Sequence, residues 1–227
     1  MSNVLMSIAF IAGIGAFAVI IFWSAGTIDW LDGWLYLGIV TAYQFITVVY
    51  LTHVNPELIE YRLKFIGISK GTKRWDKLWL ALFTPLFLAI YVIAGFDAVR
   101  FEWSNMSPWF WVPGLVLFIP TAALFSWSMG VNPFFEKTVR IQTERGHRVI
   151  DTGPYRFVRH PGYVGLFGWC LSAPLFLGSW WAFIPAVLSI IALVIRTALE
   201  DRTLRNELAG YEEYTNRVHC RLIPGVW

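Results

Sequence analysis

DTGPYRFVRHPGYVG, residues 151–165, joins the longest polar stretch of the chain to its last pair of strongly apolar segments. Gly153, Pro154, Pro161 and Gly162 are interleaved with Arg156, Arg159 and His160, with Tyr155 and Tyr163 between them. Just beyond this stretch the chain is wholly apolar, which sets these polar groups at or just inside a membrane surface. Glycines and prolines alone suit a soluble loop. A cationic, aromatic cluster that enters an apolar helix at a Pro-Gly step suits a place where backbone groups are left free to bind something.

Working outward, 57% of the 227 residues are apolar and 15% charged, far from the soluble average. Runs of about 18 to 20 mostly uncharged positions predict six spans, at 4–23, 33–52, 78–96, 109–131, 161–178 and 180–198. The last two are joined only by the turn around Ser179 and read as a helical hairpin. The first run has no small-residue cleavage pattern and reads as a retained span. The expected fold class is therefore all-α, a polytopic membrane protein with about six transmembrane helices.

Lys and Arg fall in three groups, within 62–77, 137–159 and 196–221, and Arg100 is the exception. Six spans place the three groups on one side of the membrane and Arg100 on the other. The positive-inside rule then predicts both termini cytoplasmic, in the plasma (inner) membrane if the source is bacterial. Several of the 13 Trp, such as Trp23, Trp109 and Trp180, flank predicted spans as interfacial anchors do. Anionic membrane lipids account for the net charge of +3, so no nucleic-acid partner is expected. Cys170 and Cys220 match no metal or redox spacing, and no metal is expected.

The segment 1–131 reads as a four-span scaffold, and 132–227 as the functional region. Pro56 starts a short interfacial helix, with Glu57 and Glu60 in its first turns. Residues 70–77 read as a solvated basic turn. Pro85 and Pro120 predict kinks in the third and fourth spans. In the loop 132–160, weak alternation around Glu144-Arg145-Gly146 predicts a short β-hairpin over the helix ends. The sixth span carries its helical period past the membrane as a cytoplasmic extension to Gly210, after which Tyr211 and Tyr214 pack back.

Hairpin topology brings the start of the fifth span, His160 and Tyr163, beside the end of the sixth, Arg196, Glu200 and Asp201. Arg196 and Glu200 are one helical turn apart. Taken singly, Arg196 also reads as a boundary arginine that reaches for the headgroups.

VRHPGYVG at 158–165, followed by R-x-x-x-E-D at 196–201, Leu204, Leu208, Gly210-Tyr211 and Tyr214, resembles the C-terminal half of the isoprenylcysteine carboxyl methyltransferase family and the related phospholipid methyltransferases. The specific part spans roughly 132–227. The resemblance implies an integral membrane enzyme that uses S-adenosyl-L-methionine. It implies His160, Pro161, Tyr163, Gly165, Glu200 and Asp201 on the cofactor side, and Arg196 facing the acceptor's anionic group. The family usually has Glu-Glu where this chain has Glu200-Asp201, which shortens the second acid by one methylene.

The residue types suit the chemistry. A carboxylate acceptor needs positioning more than proton transfer, and Arg196 can pair it through a planar fork. An amine acceptor would need a base, for which His160 is the nearby candidate. Expected partners are membrane lipids and a small lipid-like acceptor. With no soluble recognition domain, no large protein partner is expected. Phospholipid N-methylation and small-thiol S-methylation stay open, as do an NADPH-dependent sterol-type reductase and a non-enzymatic component of a redox pathway. No Gly-x-Gly-x-x-Gly follows a strand, which sets aside a soluble Rossmann methyltransferase.

Overall fold

A computed structural model describes residues 3–64 and 68–227, and every regular element among them is helical. The helices are α1 (Asn3–Ala25), α2 (Leu31–Val54), α3 (Pro56–Lys64), α4 (Arg74–Gly95), α5 (Trp111–Val131), α6 (Pro161–Phe176), α7 (Phe183–Glu207) and α8 (Tyr211–Arg217). A π-helical turn, Phe96–Arg100, extends α4, and a 3-10 turn, Pro108–Phe110, leads into α5. Among the described residues four stretches are long and apolar enough to cross a bilayer: Leu31–Val54, Arg74–Arg100, Pro108–Val131 and Phe183–Glu207. The chain is thus an all-α, multi-pass membrane protein.

In lipid, helices gain little from burying apolar surface against one another, so close contact and polar links decide their arrangement. α6 packs most extensively on α5, and its glycines explain why. A Cβ at Gly165 would stand 2.6 Å from Phe125 Cβ and 2.9 Å from the Thr121 carbonyl. One at Gly162 would press on the Phe135 ring at 2.7 Å. Only a bare backbone fits there. α4 meets α7 through Trp79, whose indole N–H donates to the Ala192 carbonyl at 2.7 Å. On the far side, buried Asp97 accepts from the hydroxyls of Ser104 (2.7 Å) and Ser179 (2.5 Å) and from the Trp181 N–H (3.2 Å). That ties the 177–182 connection to the end of α4. α6 itself is 16 residues, about 24 Å at 1.5 Å per residue. Pro161 begins it, and Gly178, at φ +70°, turns the chain out.

Three expectations change. The β-hairpin expected around Glu144-Arg145-Gly146 is absent: the Arg145 and His147 N–H groups both donate to the Gln142 carbonyl (2.9 and 3.2 Å) around Gly146 at φ +61°. Gln142 Nε2 also donates to the Phe134 carbonyl at 2.8 Å, and its backbone N–H to His147 Nδ1. These local bonds take up groups that a ladder would need. The basic turn is not all solvated either, because α4 already begins at Arg74 and its first turn buries Asp76 completely. Helix α3 does more than float at the interface. It docks on the 132–160 loop, where Arg62 Nη2 donates to the Phe135 carbonyl (2.9 Å), Glu57 pairs with Arg145 (2.8 Å) and Tyr61 meets Arg140. The end of that amphipathic segment, 65–67, lies outside the described residues.

Candidate active site

The segment leading into α6 is held from behind by the chain's last residues. The Arg159 and His160 N–H groups donate to the carbonyls of Cys220 (3.0 Å) and Arg221 (2.9 Å), so this stretch pairs backbone to backbone with the tail. The Arg159 guanidinium, 4% exposed, donates through Nη1 to the Val218 and His219 carbonyls (2.7 and 2.8 Å). Through Nε and Nη2 it grips both oxygens of Asp201 (2.7 and 3.2 Å). Asp201, 1% exposed, also accepts from Tyr211 (3.1 Å) and Arg221 Nε (2.9 Å), with His160 Nε2 at 3.4 Å. Burial pushes the Tyr211 phenol well above its ordinary range, which keeps it protonated and a donor. Asp201 therefore joins α7, α8, the tail and the start of α6.

In front of this frame lies a cavity of about 460 Å³, within the usual range for small-molecule sites. Its apolar wall includes Leu80 and Phe83 of α4, Phe125 of α5 and Leu166 of α6. Tyr163, which also lines the cavity, donates a hydrogen bond to Glu200 Oε2, fixing the carboxylate one turn beyond Arg196. Arg196 is 7% exposed and lies over the Trp79 ring at 4.3 Å. Its Nη2 donates to the Lys137 carbonyl (2.6 Å) and approaches Asp76 Oδ2 (3.4 Å). Its Nε stands 3.0 Å from Asp76 Oδ1, an ion-pair contact without hydrogen-bond alignment. Asp76 Oδ2 also accepts from the Val139 N–H at 2.7 Å.

The polar end of the cavity is built by the 132–160 loop. His147 packs against Phe134 at 4.5 Å and accepts the Gln142 N–H at Nδ1 (3.3 Å). Burial lowers its pKa to about 4, so the ring is neutral near pH 7 and carries its proton on Nε2. Glu136 holds Arg140 through two bonds (2.8 and 3.0 Å), and Arg62 lines the wall beside Phe135.

Of the residues singled out in the sequence, His160, Tyr163, Arg196 and Glu200 come together on this cavity. Pro161 starts α6, Gly165 faces α5, and Asp201 sits in the frame behind the wall. Sequence reasoning missed Asp76, Trp79 and His147. Asp76 was hidden among Lys73, Arg74 and Lys77, where an acid reads as solvated. His147 sits in a loop whose path depends on tertiary contacts. Arg159 was visible in the motif, but nothing in the pattern indicated its pairing with Asp201.

The profile of the isoprenylcysteine carboxyl methyltransferase (ICMT) family matches residues 114–206, the stretch that carries most of α5, all of α6, nearly all of α7 and the loop over the cavity. Through this segment the chain resembles the isoprenylcysteine carboxyl methyltransferase family. A probable protein-S-isoprenylcysteine O-methyltransferase of Oryza sativa subsp. indica is 33% identical over 95 residues, covering 39% of this chain and 47% of that protein. The protein-S-isoprenylcysteine O-methyltransferase of Saccharomyces cerevisiae is 32% identical over 91 residues, 37% of this chain and 36% of the yeast protein. The chain thus spans half or less of the length of the curated relatives it matches. The solved structure of the eukaryotic intramembrane Ras methyltransferase ICMT superposes with a TM-score of 0.62 at 17% identity, over 95% of this chain and 74% of that one. The likeness of fold therefore extends through α1–α4, beyond the segment that the family profile matches.

Proposed function

We propose that the protein is an integral-membrane, S-adenosyl-L-methionine-dependent methyltransferase that O-methylates the carboxylate of a lipid-linked, isoprenylcysteine-like acceptor. One observation carries the reading. One cavity is lined by apolar side chains of α4, α5 and α6, by polar groups of the 132–160 loop, and by Tyr163, Arg196 and Glu200.

The residues present fit the cofactor. It needs an anion for its ammonium or ribose hydroxyls, polar donors and aromatic faces, and the cavity offers Glu200, His147 Nε2–H, Arg62, Phe134 and Tyr155. When bound, S-adenosyl-L-methionine supplies an electrophilic methyl group on a sulfonium. Glu200, held by Tyr163, sets negative charge beside it, and the aromatic faces favour a cation. The apolar wall takes the start of the acceptor's lipid arm. Arg196 receives its carboxylate, so that the nucleophile is held in place without a base. His160, against Asp201 and Tyr211, shapes the rear of the pocket. Asp201 acts as the clasp that keeps the tail and α8 closed over the site.

In this reading 1–131 is scaffold and 132–227 the catalytic region. α1 and α6 complete six spans, α6 and α7 form a helical hairpin, and α7 runs on into the cytoplasm. Both termini are cytoplasmic, and the partners are membrane lipids and the acceptor itself. The test is transfer of labelled methyl from S-adenosyl-L-methionine by purified protein in detergent, offered an S-farnesylated cysteine analogue or phosphatidylethanolamine. Labelled ester on the first alone, lost in Arg196→Ala, is the expected result. Label only on the amine, sensitive to His160→Ala, replaces O- with N-methylation.

A further inference from the structure

Arg196 is charge-compensated within the protein. Asp76, fully buried, faces its Nε and Nη2 edge at 3.0 and 3.4 Å, while Lys137 accepts from Nη2 at 2.6 Å. The Val139 N–H pins Asp76 Oδ2 at 2.7 Å, and the Trp79 ring covers the guanidinium at 4.3 Å. Nη1 has no protein partner among the described residues, and Arg196 lines the cavity. Asp76 itself does not line it. The cavity therefore meets a hydrogen-bond donor whose charge is offset by Asp76 behind it and by Glu200 within the cavity.

Methylation of a carboxylate converts an anion into a neutral ester. The new oxygen–carbon bond forms from an oxygen lone pair, the donor's carbon–sulfur bond breaks with its electron pair left on sulfur, and no proton moves. A group that pairs strongly with the carboxylate's charge is worth more before reaction than at the transition state, where that charge is already waning. Such pairing tightens binding and slows the step. An uncompensated arginine would do this; one offset by Glu200 and in direct contact with Asp76 orients the oxygen without quenching it.

We infer that Asp76 is a positioning residue that tunes Arg196 from counter-ion to hydrogen-bond donor, keeping the acceptor carboxylate nucleophilic. The inference rests on the carboxylate-acceptor reading above. It predicts that the wild-type protein, without cofactor, binds an S-farnesylated cysteine acid only about 2- to 12-fold more tightly than the matching uncharged amide, as for a neutral hydrogen bond. In Asp76→Asn, which keeps an acceptor for the Val139 N–H, that preference rises to roughly 10- to 150-fold, as for a charged one. Turnover of the acid falls while its KM also falls.

Calorimetry with both ligands and steady-state methyl transfer give the two readouts. A merely structural role lowers kcat at unchanged KM and moves acid and amide binding together, which overturns the inference, as does a KM that rises. If Asp76→Asn does not fold, the wild-type measurement decides alone: an acid preference beyond about 12-fold overturns the tuning, and a preference within that range upholds it. Absence of methyl transfer to the acid by wild-type protein sinks the carboxylate reaction, while the binding arm still tests Asp76. Transfer without the binding shift sinks the inference and spares the reaction.

Discussion

Asp201→Asn is the sharpest test of the frame behind the cavity. The substitution is nearly isosteric, but it removes the charge that compensates Arg159, whose side chain is 2% exposed against 1% for Asp201. Arg159 keeps its bonds to the Val218 and His219 carbonyls, yet these do not neutralise it. Stranding one partner of a buried ion pair costs about 3–5 kcal/mol. For 150 to 250 residues that corresponds to a fall of roughly 6–20 °C in unfolding temperature. Arg221 and Tyr211 lose their acceptor as well, so the tail and α8 should loosen first. Unfolding of detergent-purified protein followed by near-UV and far-UV signals, with proteolysis across 208–227, measures both effects. An unchanged unfolding temperature together with an intact tail would refute the argument that Asp201 is a clasp. Loss of cofactor affinity without loss of stability would place Asp201 on the ligand instead.

Three further outcomes follow from the same geometry. Glu200→Gln should weaken S-adenosyl-L-methionine binding roughly 10- to 150-fold by calorimetry, the loss of one charged hydrogen bond, while Tyr163→Phe costs less because it leaves the carboxylate in place. His147 has its folded pKa lowered by burial from 6.5 to about 4, so between those values the unfolded chain binds more protons than the folded one. Stability should therefore fall on acidification from about pH 6.5 to 4, and His147→Phe should flatten that limb in a pH series of unfolding temperatures. Reporter fusions after Asp29, Lys70, Arg100 and Arg145 should read out, in, out, in; a cytoplasmic signal at Arg100 breaks the six-span topology.

The membrane class and the helical character were legible because they are properties of single segments. A run such as 33–52 has the length and apolarity of a span whatever its neighbours do, and Pro161 with Gly162 announces a helix start by local backbone chemistry. The meeting of Tyr163 with Glu200 was legible as well, from the expectation that two apolar runs joined at Ser179 lie side by side and bring those ends together. What stayed hidden depends on pairs far apart in the chain. Asp76 and Arg196 are separated by 120 residues, and each alone reads as a boundary charge facing headgroups. Only α4 packing on α7, through Trp79 and Ala192, takes both out of solvent and makes them partners. The β-hairpin expected around Glu144-Arg145-Gly146 failed for the same reason: weak alternation says which side chains prefer burial, but Phe134, His147 and Gln142 had already taken up the hydrogen bonds that a strand would need. Apolar content and turn chemistry are written residue by residue, whereas compensation of a buried charge exists only once two distant segments share a place with no water.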